Sequence, residues 1–207
     1  IKPYIQDTGV YLRDAQAAGK KILFEAQLGS LRDLDYGIHP YTTSSNPIAA
    51  YAPVGSGAPN VKIENIVGVV KAYSSCVGEG PFTCEMFGEE AEALRQAGFE
   101  YGAKTGRPRR VGPIDIVATR YGVRCQGATS IALTKMDVMG YMDRIPVCAH
   151  YELDGKITDE FPFPAVLADA KPVMEYLPGW KCDISGCRSW EELPENARKY
   201  VEYIEQN

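Results

Sequence analysis

A nine-residue loop carries the side chains with the clearest chemistry in this sequence. Residues 102–110, GAKTGRPRR, place four cations and two glycines between Tyr101 and Val111. Glycine permits backbone angles that turn main-chain N–H groups toward a ligand, and arginine forks match carboxylate or phosphate oxygens two at a time. The loop therefore predicts an anion-binding site, with a solvated run of surface charge as the alternative.

A second candidate segment has the sequence TKMD and covers residues 134–137. It directly follows a predicted strand at residues 130–134, at an edge where α/β sheets bind ligands. The carboxylate of Asp137 can accept the N1–H and the exocyclic amine of guanine, and adenine does not offer this pair of donors. The segment therefore predicts guanine recognition, and a capping aspartate for the next turn is the alternative.

Two further segments have the composition of ligand-binding turns. Residues 41–46, YTTSSN, are rich in hydroxyl groups that suit phosphate oxygens. The alternative is a serine-threonine turn followed by a helix N-cap, with Pro47 at the first helical position. Residues 77–82, VGEGPF, form either a simple tight turn or a turn whose backbone contacts a sugar.

Length and charge limit the classes of protein that need consideration. The 207 residues suffice for one substantial core, and 22 Lys+Arg against 27 Asp+Glu give a net charge of −5. Such a surface does not favour nucleic acid or an anionic membrane, so an RNA-binding role for residues 104–110 is disfavoured. No apolar stretch approaches the ~18 residues typical of a membrane span.

Cysteine and histidine usage predicts no metal site. The six cysteines include no C-x-x-C pair, and the two histidines are His39 and His150. We expect buried or idle thiols in a reducing cytoplasm. His150 lies in an apolar run and is predicted to be a core or edge residue.

The pattern of apolar residues and breakers predicts alternating helices and strands. Helices are expected at residues 7–18, over Ile63, Ile66, Val67 and Val70, at residues 88–97, over Ile114, Val117, Ala118 and Tyr121, and after Pro194 with the stripe Ala197, Tyr200, Val201 and Ile204. Strands are expected at residues 21–25, 72–77, 130–134 (buried) and 145–152. This alternation predicts an α/β sheet with helices packed on it, and long binding loops at residues 29–57 and 78–84.

Taken in order, these segments resemble the adenylosuccinate synthetase family over nearly the whole chain. The matching segments are LFE at 23–25, DLD at 33–35, Gly37, PY at 40–41, TSSN at 43–46, VVKAY at 69–73, VGEGPF at 77–82, EYG at 100–102, TGRPRR at 105–110 and LTKMD at 133–137. The resemblance implies a single domain over residues 1–207, with a mixed sheet flanked by helices, long ligand-binding loops and an architecture related to P-loop NTPases.

The resemblance also implies a function and a set of site residues. The family is a cytoplasmic, usually homodimeric ligase of purine biosynthesis that joins inosine monophosphate (IMP) to L-aspartate with GTP and Mg²⁺, without nucleic-acid or membrane partners. The implied IMP-binding residues are Thr43, Val77, Arg107 and Gln27. The implied aspartate-binding residues are Ala103, Lys104, Thr105, Gly106, Arg107, Pro108 and Arg109, and the GTP-binding residues are Arg109, Lys135, Met136 and Asp137.

The chain departs from the family pattern at several points. Where the family has FEGAQG, this sequence has FEAQLG, which places Gln27 one position early, and residues 103–104 replace small or hydroxyl residues. The chain starts without methionine, and the family's phosphate loop, with the catalytic base, the catalytic histidine and a magnesium ligand, is expected upstream. We therefore expect the 207-residue chain alone to be an inactive fragment that contains no catalytic or metal-binding residues. A non-catalytic nucleotide-binding or assembly module that retains the substrate loops is the alternative.

Overall fold

A computed structural model describes all 207 residues. The chain forms two compact units: the first comprises Ile1–Gly68 and Gly122–Ser130, and the second comprises Val69–Tyr121 and Ile131–Asn207. None of the helices combines the length and apolar character that crossing a membrane requires. The single domain expected over residues 1–207 stays a prediction.

Helices and strands alternate along most of the chain. The α-helices are α1 (Thr8–Ala17), α2 (Ala52–Gly55), α3 (Gly88–Gly98), α4 (Ile116–Gln126) and α5 (Glu195–Gln206). The strands are β1 (Val67–Lys71), β2 (Tyr73–Cys76), β3 (Arg110–Asp115), β4 (Ser130–Thr134), β5 (Arg144–Leu153), β6 (Lys156–Thr158) and β7 (Lys171–Pro178). Short 3₁₀ helices occupy Lys2–Tyr4, Ser30–Arg32, Ala49–Tyr51, Met136–Tyr141 and Leu167–Asp169.

The second unit contains a five-stranded mixed sheet. Its strand order is β2-β3-β5-β6, and β7 also pairs with β5. The β3–β5 pair is parallel, whereas β2–β3, β5–β6 and β5–β7 are antiparallel. Strands β1 and β4 form a separate two-stranded sheet. The predicted α/β fold with a mixed sheet and helices is confirmed.

Helices α3 and α5 contribute to the core of the second unit. Ala91 and Leu94 of α3 and Ala197 and Tyr200 of α5 are at most 1% exposed. The predicted stripe of α5 therefore faces the core, because residues three and four apart share one side of a helix. Tyr200 also donates its hydroxyl hydrogen to the carbonyl of Ala72 at 2.5 Å, which satisfies its polar end.

Local sequence signals located several elements correctly. The predicted helices at residues 7–18 and 88–97 correspond to α1 and α3, and the last predicted helix corresponds to α5. The side chain of Asp7 accepts the N–H of Val10 at 3.0 Å, which caps α1. The strands predicted at residues 72–77, 130–134 and 145–152 correspond to β2, β4 and β5, although residues 130 and 131 are exposed rather than buried.

Two element predictions are wrong, and the helix predicted over Ile114 to Tyr121 is confirmed as α4 except at its start. Residues 21–25 form no strand, because no neighbouring strand hydrogen-bonds to this segment. Leu23 is also 92% exposed. The helix expected over Ile63 to Val70 is instead an irregular stretch followed by β1, whose β-branched valines suit a pleated strand. Ile114 lies in β3, so α4 begins only at Ile116.

Candidate functional site

The basic loop is a closed turn in the second unit. Tyr101 and Pro108 form an antiparallel bridge across its base. The N–H of Gly102 donates to the carbonyl of Arg107, and the N–H of Gly106 donates to the carbonyl of Gly102, both at 2.8 Å. Gly106 has a φ of 63°, a left-handed conformation that favours glycine. Hydrogen bonds within the chain therefore shape the turn.

The tip of this turn presents unused hydrogen-bond donors. The backbone N–H groups of Ala103, Lys104 and Thr105 make no hydrogen bond within the chain. The hydroxyl oxygen of Thr105 accepts the N–H of Arg107 at 3.3 Å, which leaves the hydroxyl hydrogen available. The side chains of Lys104 and Arg107 are exposed and form no ion pair. This arrangement can bind carboxylate or phosphate oxygens from several directions.

Arg109 lies beside the turn and is only partly engaged by the protein. Its Nη1 donates to Oε2 of Glu100 at 2.8 Å, and its backbone N–H donates to the carbonyl of Glu100 at 2.9 Å. Its Nε is buried and has no hydrogen-bond partner. Because an unsatisfied buried donor is unfavourable, an incoming anion would gain a ready partner at this arginine.

Glu100 accepts hydrogen bonds from three side chains. Lys71 Nζ and the Tyr73 hydroxyl donate to its Oε1 at 2.7 and 2.6 Å, and Arg109 donates to its Oε2. The carboxylate is 1% exposed. Burial raises the pKa of Glu100, but hydrogen bonds from Lys71, Tyr73 and Arg109 outweigh burial and lower the pKa from 4.5 to about 2. Glu100 is therefore ionised at neutral pH.

We expect Glu100 to make the free energy of unfolding depend on pH in acid. A carboxylate whose pKa is lower in the folded state stabilises the fold above the unfolded pKa of 4.5, and this stabilisation is lost as the pH falls toward about 2. A shift of this size corresponds to about 3 kcal/mol. Urea unfolding of the wild type and Glu100→Gln at about pH 7 and about pH 3 checks this, because the difference between them should shrink in acid. The same difference at both pH values would contradict it.

Arg110 is not available for anions, although the sequence pattern grouped it with its neighbours. Its Nε donates to both carboxylate oxygens of Glu85 at 2.9 Å. Its Nη1 donates to the carbonyls of Gly78 and Gly80 at 3.2 and 2.8 Å. Arg110 therefore stabilises the neighbouring turn rather than binding a ligand.

The turn that Arg110 supports presents Val77. Val77 directly follows β2 and is 62% exposed. Gly78 and Gly80 have φ values of 92° and 109°, so the turn requires glycine at both positions. Val77 is thus accessible to solvent, as the expected ribose contact requires.

The TKMD segment places an unpaired carboxylate after β4. Lys135 adopts a left-handed φ of 66° and donates from Nζ to the carbonyl of Gly98 at 3.3 Å. The N-cap of the following 3₁₀ helix is Lys135, without a side-chain cap, and the exposed side chain of Asp137 accepts no hydrogen bond. Asp137 therefore does not cap the turn, and the capping alternative is wrong.

Asp137 also interacts electrostatically with Tyr73, which hydrogen-bonds to Glu100. Burial raises the pKa of Tyr73, and hydrogen bonding to Glu100 and the charges of Glu100 and Asp137 raise it further, whereas Arg109 lowers it. The candidate guanine-binding carboxylate and the candidate aspartate-binding arginine thus act on one buried hydroxyl group. The structure brings these two sets of predicted residues into one neighbourhood of the second unit.

Thr43 lies in the first unit, in a turn built by polar side chains. Its N–H donates to the carbonyl of Arg32 at 2.8 Å, and its hydroxyl lies 3.4 Å from that of Ser45. Asn46 donates to Oδ2 of Asp35 at 2.6 Å. No helix begins at Pro47, since the next helical segment is Ala49–Tyr51, so the helix-capping alternative for residues 41–46 is wrong.

Gln27 also lies in the first unit, in an irregular stretch. Its side chain is exposed, and the next residue, Leu28, has a positive φ of 71°. A positive φ is uncommon for leucine, so the local backbone is unusual where this sequence departs from the family pattern. Its IMP-binding role stays a prediction.

The fold assembles a group of potential metal ligands that the spacing did not reveal. Ligand atoms of Cys84, Asp115 and Cys148 are buried and lie within 4.8 Å of one another. The parallel β3–β5 pairing sets Asp115 opposite Cys148, which local sequence cannot show. Asp115 already accepts the hydroxyl of Tyr151 at 2.5 Å and the N–H of Ala118 at 2.9 Å. We therefore assign its carboxylate to capping α4.

The fold and the site together define the class of this protein. The mixed sheet, its flanking helices and its structural match place it among α/β proteins with P-loop-related architecture. A family model described as adenylosuccinate synthetase matches residues 1–207. The chain therefore belongs to the adenylosuccinate synthetase family.

Two individual proteins illustrate the similarity. An adenylosuccinate synthetase of Caldanaerobacter subterraneus subsp. tengcongensis is 47% identical over 209 residues, which cover 100% of this chain and 48% of that protein. The structure of fully ligated adenylosuccinate synthetase from Plasmodium falciparum matches with a TM-score of 0.92 and 36% identity, covering 98% of this chain and 49% of the other. The chain thus spans about half the length of the relatives it matches.

Proposed function

We propose that this chain supplies the aspartate-binding and guanine-binding part of a GTP-dependent ligase of purine biosynthesis. The ligase joins IMP and L-aspartate to form adenylosuccinate, GDP and phosphate. The observation that carries the proposal is the closed turn at residues 102–108, whose three unpaired N–H groups and two unpaired cations lie beside the partly engaged Arg109. Membership of the family supports the same reaction.

Each part of the proposed site binds a different group. The N–H groups of residues 103–105 and the hydroxyl of Thr105 hold the aspartate carboxylates, in a turn shaped by Gly106 and Pro108. Arg107 contacts both IMP and aspartate, and Arg109 links aspartate to the GTP phosphates. Catalysis of phosphoryl transfer depends mainly on such positioning and charge neutralisation.

The nucleotides complete the proposed set of contacts. Lys135 and Met136 flank the guanine ring, and Asp137 accepts its N–H groups. Thr43 binds the IMP phosphate, Val77 contacts the ribose through its backbone, and Gln27 contacts the base. Asp137 and Val77 are exposed, and Met136 and Thr43 are partly exposed, which supports their access to ligand.

Mg²⁺ belongs to the family reaction, but these residues do not form a site for it. The cluster of Cys84, Asp115 and Cys148 contains two thiols, whereas Mg²⁺ requires oxygen ligands in octahedral geometry. We therefore assign no magnesium ligand and no metal-dependent step to this chain. A reducing cytoplasm is the proposed compartment, since all six cysteines are free, and the family resemblance favours a homodimer.

A ligase assay tests the proposed function. We expect the complete protein that carries this chain to form adenylosuccinate from IMP, L-aspartate and GTP, measured by chromatography of the nucleotides. The 207-residue polypeptide alone should form none, because none of the residues assigned to the site serves as the general base. A complete protein that binds GTP but makes no adenylosuccinate would favour the non-catalytic module, and product from the 207-residue chain would contradict its inactivity.

A further inference from the structure

The carboxylate of Glu100 divides its two oxygens between two cations. Oε1 accepts from Lys71 Nζ at 2.7 Å, and Oε2 accepts from Arg109 Nη1 at 2.8 Å. Glu100 is 1% exposed, whereas each cation keeps 31% of its side chain exposed. The anion is thus inside the protein, and both cations extend from it toward solvent.

The three residues come from different parts of the second unit. Lys71 ends β1, Glu100 follows α3, and Arg109 precedes β3. Removing the charge of Glu100 would leave two cations without their shared counter-ion, and their mutual repulsion would favour other side-chain positions. Glu100 therefore determines where both cations lie.

Arg109 retains binding capacity after it pairs with Glu100. A guanidinium has five N–H donors, and the protein engages only the one donated from Nη1. Nε is buried and unpaired, which is an independent sign of a missing acceptor. Lys71 also donates to the hydroxyl of Ser75 at 2.7 Å, which further fixes its ammonium group.

We propose that Glu100 is a positioning residue that holds Lys71 and Arg109 as a preorganised pair for a carboxylate or phosphate group, which makes Lys71 an additional anion-binding residue. The inference rests on the proposed function, in which that anion is the L-aspartate carboxylate or a GTP phosphate. Preorganisation matters here because a cation already held in place loses little freedom when the anion binds.

Glu100→Gln in the complete protein tests the proposal. The amide keeps the size of the side chain but cannot hold two cations, so KM for the bound anion should rise about 10- to 100-fold. Separate titrations of L-aspartate and GTP show which substrate supplies the anion. Lys71→Met should raise the same KM, because it removes one member of the pair.

Tyr151→Phe is the matched control for lost stability. It also removes a buried hydrogen bond to a carboxylate, that of Asp115, away from the basic loop. We expect both variants to unfold at lower temperature, but only Glu100→Gln to change KM. If the two variants lose similar stability and neither KM changes in Glu100→Gln, Glu100 is merely structural and the proposal is overturned.

A direct binding measurement separates this proposal from the proposed function. Calorimetric titration of L-aspartate, and separately inorganic phosphate, into the wild type and Glu100→Gln requires no catalysis. A wild type without ligase activity would reject the proposed function, yet an approximately tenfold loss of affinity in Glu100→Gln would still support positioning. Equal affinity for both anions in the two proteins would overturn the positioning role.

Discussion

Replacing Arg107 with leucine is expected to lower the rate of adenylosuccinate formation about 100- to 1000-fold while leaving the fold intact. In the proposed site this guanidinium contacts both IMP and aspartate and neutralises charge that develops during the reaction. Its side chain is exposed and forms no ion pair, so its removal should change the free energy of unfolding by no more than about 0.5 kcal/mol. The variant therefore separates a catalytic contribution from a structural one.

Steady-state kinetics and thermal unfolding of the complete protein measure the two effects of Arg107→Leu. Arg13→Leu is the matched control, because Arg13 is an exposed arginine of α1 whose ion pair with Asp14 involves side chains that are 67% and 66% exposed. Such surface pairs contribute little to stability. A large fall in melting temperature with only a proportionate loss of kcat would contradict the proposed role of Arg107.

The four cations of the basic loop have three different roles, and the sequence pattern alone cannot distinguish them. Lys104 and Arg107 remain unpaired, Arg109 is partly engaged by Glu100, and Arg110 is occupied by Glu85. Glu85 lies 25 residues before Arg110 along the chain. Glycine spacing predicts a turn with accessible N–H groups, but the pairing of each cation depends on tertiary contacts.

The same limit explains which elements could be predicted. Helices α3 and α5 were predictable because their signals are local: α3 ends at a glycine, and α5 has one apolar stripe that follows Pro194. Ile66, Val67 and Val70 match a helical period, yet Val67 and Val69 also alternate as in a strand. Pairing with β4 decides in favour of β1, and that partner lies about sixty residues further along the chain.

Glu100 shows why part of the candidate site could not be inferred from sequence. The segment EYG at residues 100–102 was part of the family resemblance, but no nearby residue indicates which side chains hydrogen-bond to Glu100. Its three donors lie on β1, on β2 and just before β3, so only the folded chain brings them together. The local feature that could have drawn attention to Glu100 is its charge, at a position between the end of α3 and the basic loop.

Replacing Asp137 with asparagine is expected to weaken the binding of GTP and to improve the binding of xanthosine triphosphate. The carboxylate can only accept hydrogen bonds, which suits the N1–H and amine of guanine, whereas the amide of asparagine also donates. Xanthine has a carbonyl where guanine has the amine, so the new donor finds an acceptor. Losing one charged hydrogen bond is worth about 1.5–3 kcal/mol, which corresponds to an increase of about 10- to 150-fold in KM for GTP.

The structure makes Asp137 suitable for this test, because its carboxylate accepts no hydrogen bond within the chain and caps no helix. Its replacement should therefore leave the fold intact, and Asp143→Asn serves as the control, since the side chain of Asp143 is 86% exposed and pairs with Lys181 at 2.9 Å. Initial rates with each triphosphate, at fixed IMP and L-aspartate, give the ratio of kcat/KM for the two nucleotides. That ratio should shift toward xanthosine triphosphate in Asp137→Asn and stay constant in Asp143→Asn. An unchanged ratio in Asp137→Asn would remove Asp137 from the guanine site, whereas a shift would establish that its unpaired carboxylate selects the base.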